Sequence, residues 1–284
     1  MSVQISEWTG RFGNNILQVK NALHIALYYN LDVAMPKHPL LPKEARIREV
    51  AGEGIRYKGT FFGDLGEISA RHGFPRDVFT RNADAVIKEL RGLLAFSGVE
   101  PADPNDLHIH IRSGDIFQNW FPNELARHYT PPPLLFYVSI IRAKPWRNIY
   151  IICEDQKNPC LWALRQAYPR AKWREQSLLE DIRLILSARN MVYGGGSFIP
   201  ALLLFSDNIQ STYTISYGME PATSSFTKHI RRRVFKGDEY LQLMRSWTNH
   251  PIQHRLMLSY GFAPPPRSLR KRRHPGSSLM FQGR

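Results

Sequence analysis

The chain has 284 residues, of which 43% are hydrophobic and 22% charged, a composition typical of globular proteins that excludes wholesale disorder. This length accommodates one large domain or two smaller ones. The 38 basic and 24 acidic residues give a formal net charge of +14, which favours an anionic ligand such as a phosphate, a nucleic acid or a membrane surface without choosing among them.

Targeting and redox signals are sparse. No apolar run approaches the roughly eighteen residues that a membrane-spanning helix needs, and the first residues lack the basic segment and apolar core of a secretory signal. The two cysteines, Cys153 and Cys160, favour buried reduced thiols over a single bridge. We therefore expect a cytoplasmic protein, the alternative being a luminal Golgi or endoplasmic-reticulum domain that has lost its anchor.

Hydrophobic periodicity predicts an α/β protein. In the first half it indicates a strand at 3–5, a helix at about 15–29, a strand at 31–35 and a helix at 79–96, with no clear pattern between the last two. In the second half it indicates strands at 107–111, 148–153 and 191–193 and helices at 134–142, 159–167, 178–189 and from 198 onward. This alternation is typical of a doubly wound parallel sheet.

The first of three candidate ligand loops follows the first strand and reads Gly10-Arg11-Phe12-Gly13-Asn14. Its glycines permit close backbone approach, and the Asn14 side chain can donate to a phosphate oxygen or cap the following helix. A capped turn with a solvated Arg11 is the purely structural alternative. The spacing is not that of a dinucleotide-binding fingerprint.

The second loop follows the strand at 107–111. Strand alternation places His108, His110 and Arg112 on one side, with Arg112 at the strand's end, where a guanidinium can bind a pyrophosphate. Asp115 can orient Arg112 or form a structural ion pair with it. A metal site built from His108, His110 and Asp115 is disfavoured, because beyond the two histidines the sequence offers no firm third ligand.

The third group comprises Asp181, in the first turn of a predicted helix, and a glycine run ending at Gly196 that precedes Ser197 and Phe198. A carboxylate at Asp181 can bond a purine edge or a ribose, or can simply favour the helix dipole. The glycine run opens a helix and offers a phosphate cradle, although it is not a P-loop because no Gly-Lys-Ser/Thr follows.

In combination, these segments resemble the GDP-fucose-dependent fucosyltransferases, which include α-1,2-, α-1,6- and protein O-fucosyltransferases. The resemblance rests on GRFGNN near the start, on HIRSGD after the central strand, and on Asp181 placed sixteen residues before Ser197. It covers roughly residues 8–30 and 106–210. It implies a GT-B fold, with two Rossmann-like domains facing a cleft, and inverting transfer of fucose from GDP-fucose to a hydroxyl acceptor such as a glycan. It implies neither an obligatory metal nor another cofactor.

The resemblance also implies residue roles. Arg112 would bind the β-phosphate and steady the leaving GDP, and His110 and Asp181 would contact the guanosine. The donor pyrophosphate would be held by Gly196, Ser197 and Phe198. Asn14 and the loop formed by Gly10, Arg11, Phe12 and Gly13 would close on the donor or the reaction centre.

Two departures from the family pattern concern the acceptor and the base. The α-1,2 enzymes carry two consecutive arginines where this chain has Arg112-Ser113, and the glutamate base of the α-1,6 enzymes has no counterpart in residues 116–120. Asp115, Asp64 and Glu124 are the candidate bases.

Together these observations predict three segments: an N-terminal, acceptor-side domain over 1–105, a nucleotide-sugar-binding domain over 106–263, and a flexible basic tail over 264–284. Three alternative functions stay open. The same fold can use another nucleotide sugar, or bind a GDP-sugar without catalysis. The basic runs at 231–233 and 270–273 favour a nucleic-acid-binding protein, although no nucleic-acid-binding motif accompanies them and no nucleic-acid partner is expected. The sequence does not predict an oligomeric state.

Overall fold

The computed structural model describes residues 1–41, 47–48, 54–57, 70, 73, 75, 77–93, 99–118, 129–174, 176–216, 227, 229–262 and 282–283. The chain divides into two compact units. The first comprises Met1–Val99, Ser197–Ser206 and Ala222–His229, and the second comprises Glu100–Gly196, Asp207–Pro221 and Ile230–Arg284.

The first unit contains a parallel four-stranded sheet in the order β3-β2-β1-β4. Its strands are β1 (Ser2–Ile5), β2 (Asp32–Ala34), β3 (Ile47–Arg48) and β4 (Ile55–Tyr57). Val3, Gln4 and Ile5 are all buried, as expected for a strand that is covered on both faces. The chain runs outward from β1 to β3 and then crosses to β4, so the strand order reverses between β1 and β4.

The helices of the first unit are α1 (Phe12–Tyr29), α2 (Val78–Arg81), α3 (Ala83–Leu93) and α7 (Phe198–Leu203). The last of these comes from the second half of the chain and packs against α1. The predicted domains, 1–105 and 106–263, did not place α7 in the first unit, because its contact with α1 joins elements that are far apart in sequence.

The second unit contains a seven-stranded sheet in the order β11-β10-β9-β8-β5-β6-β7. All of its pairs are parallel except β10 with β11. The strands are β5 (Leu107–His110), β6 (Ile149–Ile152), β7 (Lys172–Arg174), β8 (Asn190–Tyr193), β9 (Ser211–Ile215), β10 (Arg231–Phe235) and β11 (Gln282–Gly283). From β7 to β10 the order is that of the classic dinucleotide-binding fold, with the reversal between β5 and β8.

The helices of the second unit are α4 (Leu134–Arg142), α5 (Pro159–Ala167), α6 (Leu178–Ser187), α8 (Asp238–Met244) and α9 (Pro251–Ser259), together with a 3-10 helix over Gly114–Phe117. The core packs the apolar faces of α4 and α5 against the sheet, where Ile109, Ile111 and Ile151 are fully buried.

The predicted α/β class is confirmed, whereas the arrangement of two domains across a cleft stays a prediction. Helix α1 begins three residues before its predicted start, because its N-cap residue, Arg11, makes no side-chain capping bond that sequence could reveal. The elements that were not predicted are strands β3, β4, β7, β9, β10 and β11 and helices α8 and α9. The predicted tail lies mostly outside the described residues, but Gln282–Gly283 pairs with β10 as a short strand instead of being part of a flexible tail.

Two further sequence-based expectations can be compared with the structure. Cys153 and Cys160 are both buried thiols, which confirms the prediction made for them. Within the described ranges, no helix is both long and apolar enough to cross a membrane.

Candidate functional site

The loop after β1 is held by two buried amide side chains of α1. Gln18 Oε1 accepts from the Thr9 backbone N–H over 3.0 Å, and Gln18 Nε2 donates to the Glu7 carbonyl over 3.0 Å. Asn15 Nδ2 donates to both Gln18 Oε1 and the Thr9 carbonyl. Since Gln18 is fully buried, these bonds fix the loop where the strand order of the first sheet reverses.

The N-terminus of α1 lies directly against the N-terminus of α7. A Cβ on Gly13 would lie 2.6 Å from Phe198 Cα and 2.7 Å from Phe198 N, so only glycine permits this approach. Beside it, the Ser197 hydroxyl donates to Asn14 Oδ1. The structure therefore brings Gly13, Asn14, Ser197 and Phe198 together within the first unit. More than 180 residues of sequence separate Asn14 from Ser197.

The other predicted residues of this loop differ in exposure. Gly10 has a φ of +72°, and the Asn14 side chain occupies the space where a Cβ would stand. Arg11 is exposed to solvent. Phe12 is buried and its ring stacks on His38, with ring centroids 5.7 Å apart. The Phe12 side chain thus belongs to the packing beneath the loop.

The central strand of the second sheet ends in the loop that carries Arg112. Ile109 and Ile111 are fully buried in the core, and the alternation of strand residues places His108, His110 and Arg112 on the other face. Because β5 and β8 flank the reversal of strand order, the loops at their carboxyl ends border the crevice in which open α/β sheets bind ligands.

The Arg112 guanidinium is held inside this loop cluster. Its side chain is only 16% exposed, and Nη2 lies 3.6 Å from Asp115 Oδ1. The guanidinium carbon lies 4.8 Å from the centroid of the Tyr129 ring. Gly196, in the loop after β8, has a φ of +107°, and a Cβ there would lie 2.8 Å from Arg112 Nη1. The predicted residues Arg112, Asp115 and Gly196 therefore converge.

The backbone of the Arg112 turn is bonded to the loop after β6. Asn158 Nδ2 donates to the Arg112 carbonyl over 2.9 Å, and Asn158 N donates to Ser113 Oγ over 3.1 Å. The Ser113 hydroxyl donates to Asp155, which also accepts from the Gly114 backbone N–H over 3.3 Å. Although burial raises its pKa, the hydrogen bonds from Ser113 and Lys157 hold the pKa of Asp155 at about 2.

The 3-10 helix that carries Asp115 is supported from the C-terminal part of the chain. Trp247 is fully buried, and its indole N–H donates to the Ile116 carbonyl over 2.9 Å. Its ring packs edge-on against Phe117 and stacks on His254. Sequence reasoning missed Trp247 and Asn158, because their partners lie about 45 to 130 residues away and leave no local pattern.

Asp181 lies in the first turn of α6. Ser177 and Glu180 form a capping box that fixes the start of this helix. Burial raises the pKa of Asp181 to about 6, with Gln176 Nε2 located 3.5 Å from Asp181 Oδ1. Beside it is a cavity of about 510 Å³, lined by residues 153–156 and by Gln176, Ser177 and Glu180. This cavity lies at the carboxyl ends of β6 and β7.

The two histidines of β5 have different environments. His108 is fully buried, its ring stacks on Tyr150 with centroids 4.8 Å apart, and burial lowers its pKa to about 4. His110 is partly exposed on the same face as Arg112. Within the part of the chain that the structure describes, His, Cys, Asp and Glu side chains form no cluster of three that could hold a metal ion.

The structure brings candidate residues together in two groups, one in each unit, while Asp181 lies at the start of α6 beside the cavity. Asn14, Ser197, Phe198 and Gly13 form the first, and the second contains Arg112 with its neighbours. Of the candidate bases, Asp115 is exposed and next to Arg112, whereas Asp64 and Glu124 lie outside the described residues.

Comparisons with known proteins give distant structural similarities. No protein-family model matches the chain, and no curated protein matches it. A crystal structure of the alpha-1,6-fucosyltransferase NodZ soaked with GDP-fucose aligns with a TM-score of 0.44 at 11% identity, over 83% of this chain and 95% of that one. A structure of fucosyltransferase NodZ from Bradyrhizobium aligns with a TM-score of 0.43 at 10% identity, over 84% and 96%.

Proposed function

We propose that this protein is a glycosyltransferase that transfers fucose from GDP-fucose to a hydroxyl acceptor, with inversion and without an obligatory metal. The observation that carries the proposal is the Arg112 guanidinium, held against Gly196 at the reversal of strand order in a dinucleotide-type sheet. The sequence motifs indicate GDP-fucose as the donor substrate, and the second unit has an arrangement of side chains that suits this donor.

The first part of the proposal concerns the leaving group. When the acceptor oxygen attacks the anomeric carbon, the bond from that carbon to the β-phosphate oxygen breaks, and GDP leaves with the electron pair. Negative charge therefore grows on the diphosphate, and fixed cationic donors aimed at it are the expected main source of rate. Arg112 is suited to this task because Asp115, Tyr129 and Gly196 restrict its position before the donor binds.

The second part concerns the base of the nucleotide. An ionised carboxylate accepts both N–H groups on the edge of guanine, so Asp181 is proposed to read that edge together with His110. The adjacent cavity, with its carboxylate and amide lining, has room for a purine. The pKa of Asp181 near 6 means that this carboxylate is ionised at neutral pH.

The third part concerns the reaction centre. Ser197 and Phe198 are proposed to hold the pyrophosphate, and Asn14 to orient the reacting groups, since the Ser197 hydroxyl bonds Asn14 directly. The proton of the acceptor hydroxyl passes to a base, for which Asp115 is the candidate among the described residues.

Titration calorimetry with GDP, in the presence and absence of EDTA, tests this proposal. We expect micromolar-range binding that EDTA leaves unchanged, and a loss of about 10–100-fold in Arg112→Ala, the range for hydrogen bonds to a charged group. Arg147→Ala serves as the matched control, because Arg147 pairs with Asp103 on the surface, near the start of β6. Absence of GDP binding, combined with tight and salt-sensitive RNA binding, would instead favour the nucleic-acid-binding alternative.

A further inference from the structure

The turn that carries Arg112 is hydrogen-bonded to the loop after β6 through three consecutive residues, 112–114. The Arg112 carbonyl accepts from Asn158 Nδ2, the Ser113 hydroxyl bonds both Asp155 and Asn158, and the Gly114 N–H donates to Asp155. Ser113 and Asn158 are each 1% exposed, so water does not compete for these bonds. The turn is therefore fixed at its backbone.

We infer that Asn158 is a positioning residue for Arg112, and that its side-chain amide sets the direction in which the guanidinium leaves the turn. This inference rests on the proposed function for its enzymatic consequence. Gly196 and Tyr129 border the guanidinium, while the amide of Asn158 holds the backbone from which the side chain extends. Gly196 and Tyr129 restrict the guanidinium end of Arg112, whereas Asn158 restricts its backbone end.

The same network gives Ser113 a role that the sequence did not indicate. The side chain of Ser113 reaches the loop after β6, where Asp155 and Asn158 N bond its hydroxyl. A second arginine at this position has no room in a pocket that a 1% exposed serine fills. Ser113 thus belongs to the support of the turn, together with Asn158.

Asn158 also caps α5, and the two roles can be separated by one substitution. Its Oδ1 accepts from the Cys160 backbone N–H over 2.9 Å, which is the capping bond. Asn158→Asp keeps this acceptor, since aspartate caps helices about as well as asparagine. An ionised carboxylate cannot donate to the Arg112 carbonyl, so the variant removes the bond that positions the turn and also places a negative charge beside that carbonyl.

A matched control lies in the same sheet, at the amino ends of its strands. Asn190 is 7% exposed, and its Nδ2 donates to the carbonyls of Pro104 and Asp106 over 2.9 Å and 3.0 Å. Asn190→Asp is therefore the same change at a buried amide that also bonds backbone carbonyls, but at the start of β8 instead of beside Arg112.

The experiment measures GDP affinity by calorimetry for the wild type, Asn158→Asp, Arg112→Ala, the double variant and Asn190→Asp. Hydrogen bonds to a charged group are worth about 10–100-fold in affinity, so we expect Asn158→Asp to weaken GDP binding by up to roughly that factor. In the Arg112→Ala background the same change should have little further effect, because no guanidinium is left to be positioned. Asn190→Asp should bind GDP as the wild type does.

Equal losses from Asn158→Asp in both backgrounds, or wild-type affinity in the single variant, would overturn the inference. A crystal structure of Asn158→Asp supplies a readout that needs no ligand: the Arg112 guanidinium should move away from Gly196, and an unmoved guanidinium contradicts the positioning role. Failure of the wild type to bind GDP contradicts the proposed function instead, and the crystallographic readout still decides the role of Asn158.

Discussion

Replacing Gly196 with alanine should weaken GDP binding by displacing Arg112. The φ of +107° at Gly196 is one that residues with a Cβ rarely adopt, and such backbone strain costs about 1–3 kcal/mol. The new methyl group would stand 2.8 Å from Arg112 Nη1, and the guanidinium must retreat to at least 3.4 Å to reach an ordinary contact. A shift on this scale should weaken the charged hydrogen bonds from Arg112 to the diphosphate and raise the Kd for GDP by up to about 10–100-fold, the range that such bonds are worth.

Gly261→Ala separates the effect of strain from the effect on Arg112. Gly261 lies in the second unit with a φ of +78°, and its added Cβ would meet the Leu135 side chain at 2.4 Å. Both variants should lose stability in urea denaturation, but only Gly196→Ala should lose GDP affinity in calorimetry. If Gly196→Ala bound GDP as tightly as Gly261→Ala, the assignment of Arg112 to the diphosphate would be refuted.

Three further predictions concern packing and pH. Gly13→Ala should destabilise the first unit by about 1–3 kcal/mol in urea denaturation, because the Cβ meets the Phe198 backbone at 2.6 Å; an unchanged midpoint would contradict that contact. GDP affinity should fall as pH drops through about 6, where Asp181 takes up a proton, whereas Asp181→Asn should bind GDP weakly with a smaller step, because only the terminal phosphate of GDP, with a second pKa of about 6, still titrates there. Because burial lowers the pKa of His108 from its ordinary value of 6.5 to about 4, the unfolded chain binds the extra proton between these values. The contribution of His108 to stability should therefore fall by roughly 3 kcal/mol as pH drops from 6.5 to 4, whereas Asp181, whose pKa is raised, acts in the opposite sense. The difference in slope between the wild type and His108→Phe, which keeps an aromatic ring on Tyr150, should show the His108 contribution in denaturation measured across this range.

Local patterns predicted the elements that bear strong hydrophobic periodicity. The helices α4 and α5 and the strands β5 and β6 were placed to within a residue or two. Strand β10 was missed because Arg231-Arg232-Arg233 reads as a charge run, although the strand is stabilised by parallel pairing with β9. That pairing joins distant segments, and nothing in the local sequence signals it.

The candidate site shows the same division between local and distant information. Arg112 was predicted because alternation places it at a strand's end, and Gly196 because a glycine run precedes a helix. Asn158 and Trp247 act through partners in other elements, so only the folded chain reveals them.

The central claim is that a GDP-sugar is cleaved beside Arg112. A screen of GDP-, UDP- and ADP-sugars, scored by nucleotide release in the presence of a hydroxyl acceptor, tests it most directly. We expect release from GDP-fucose alone, and a loss of about 10²–10³-fold in Arg112→Ala, as for removal of one donor to a developing anion. Release from UDP- or ADP-sugars in preference to GDP-fucose, or undiminished release by Arg112→Ala, would contradict the account.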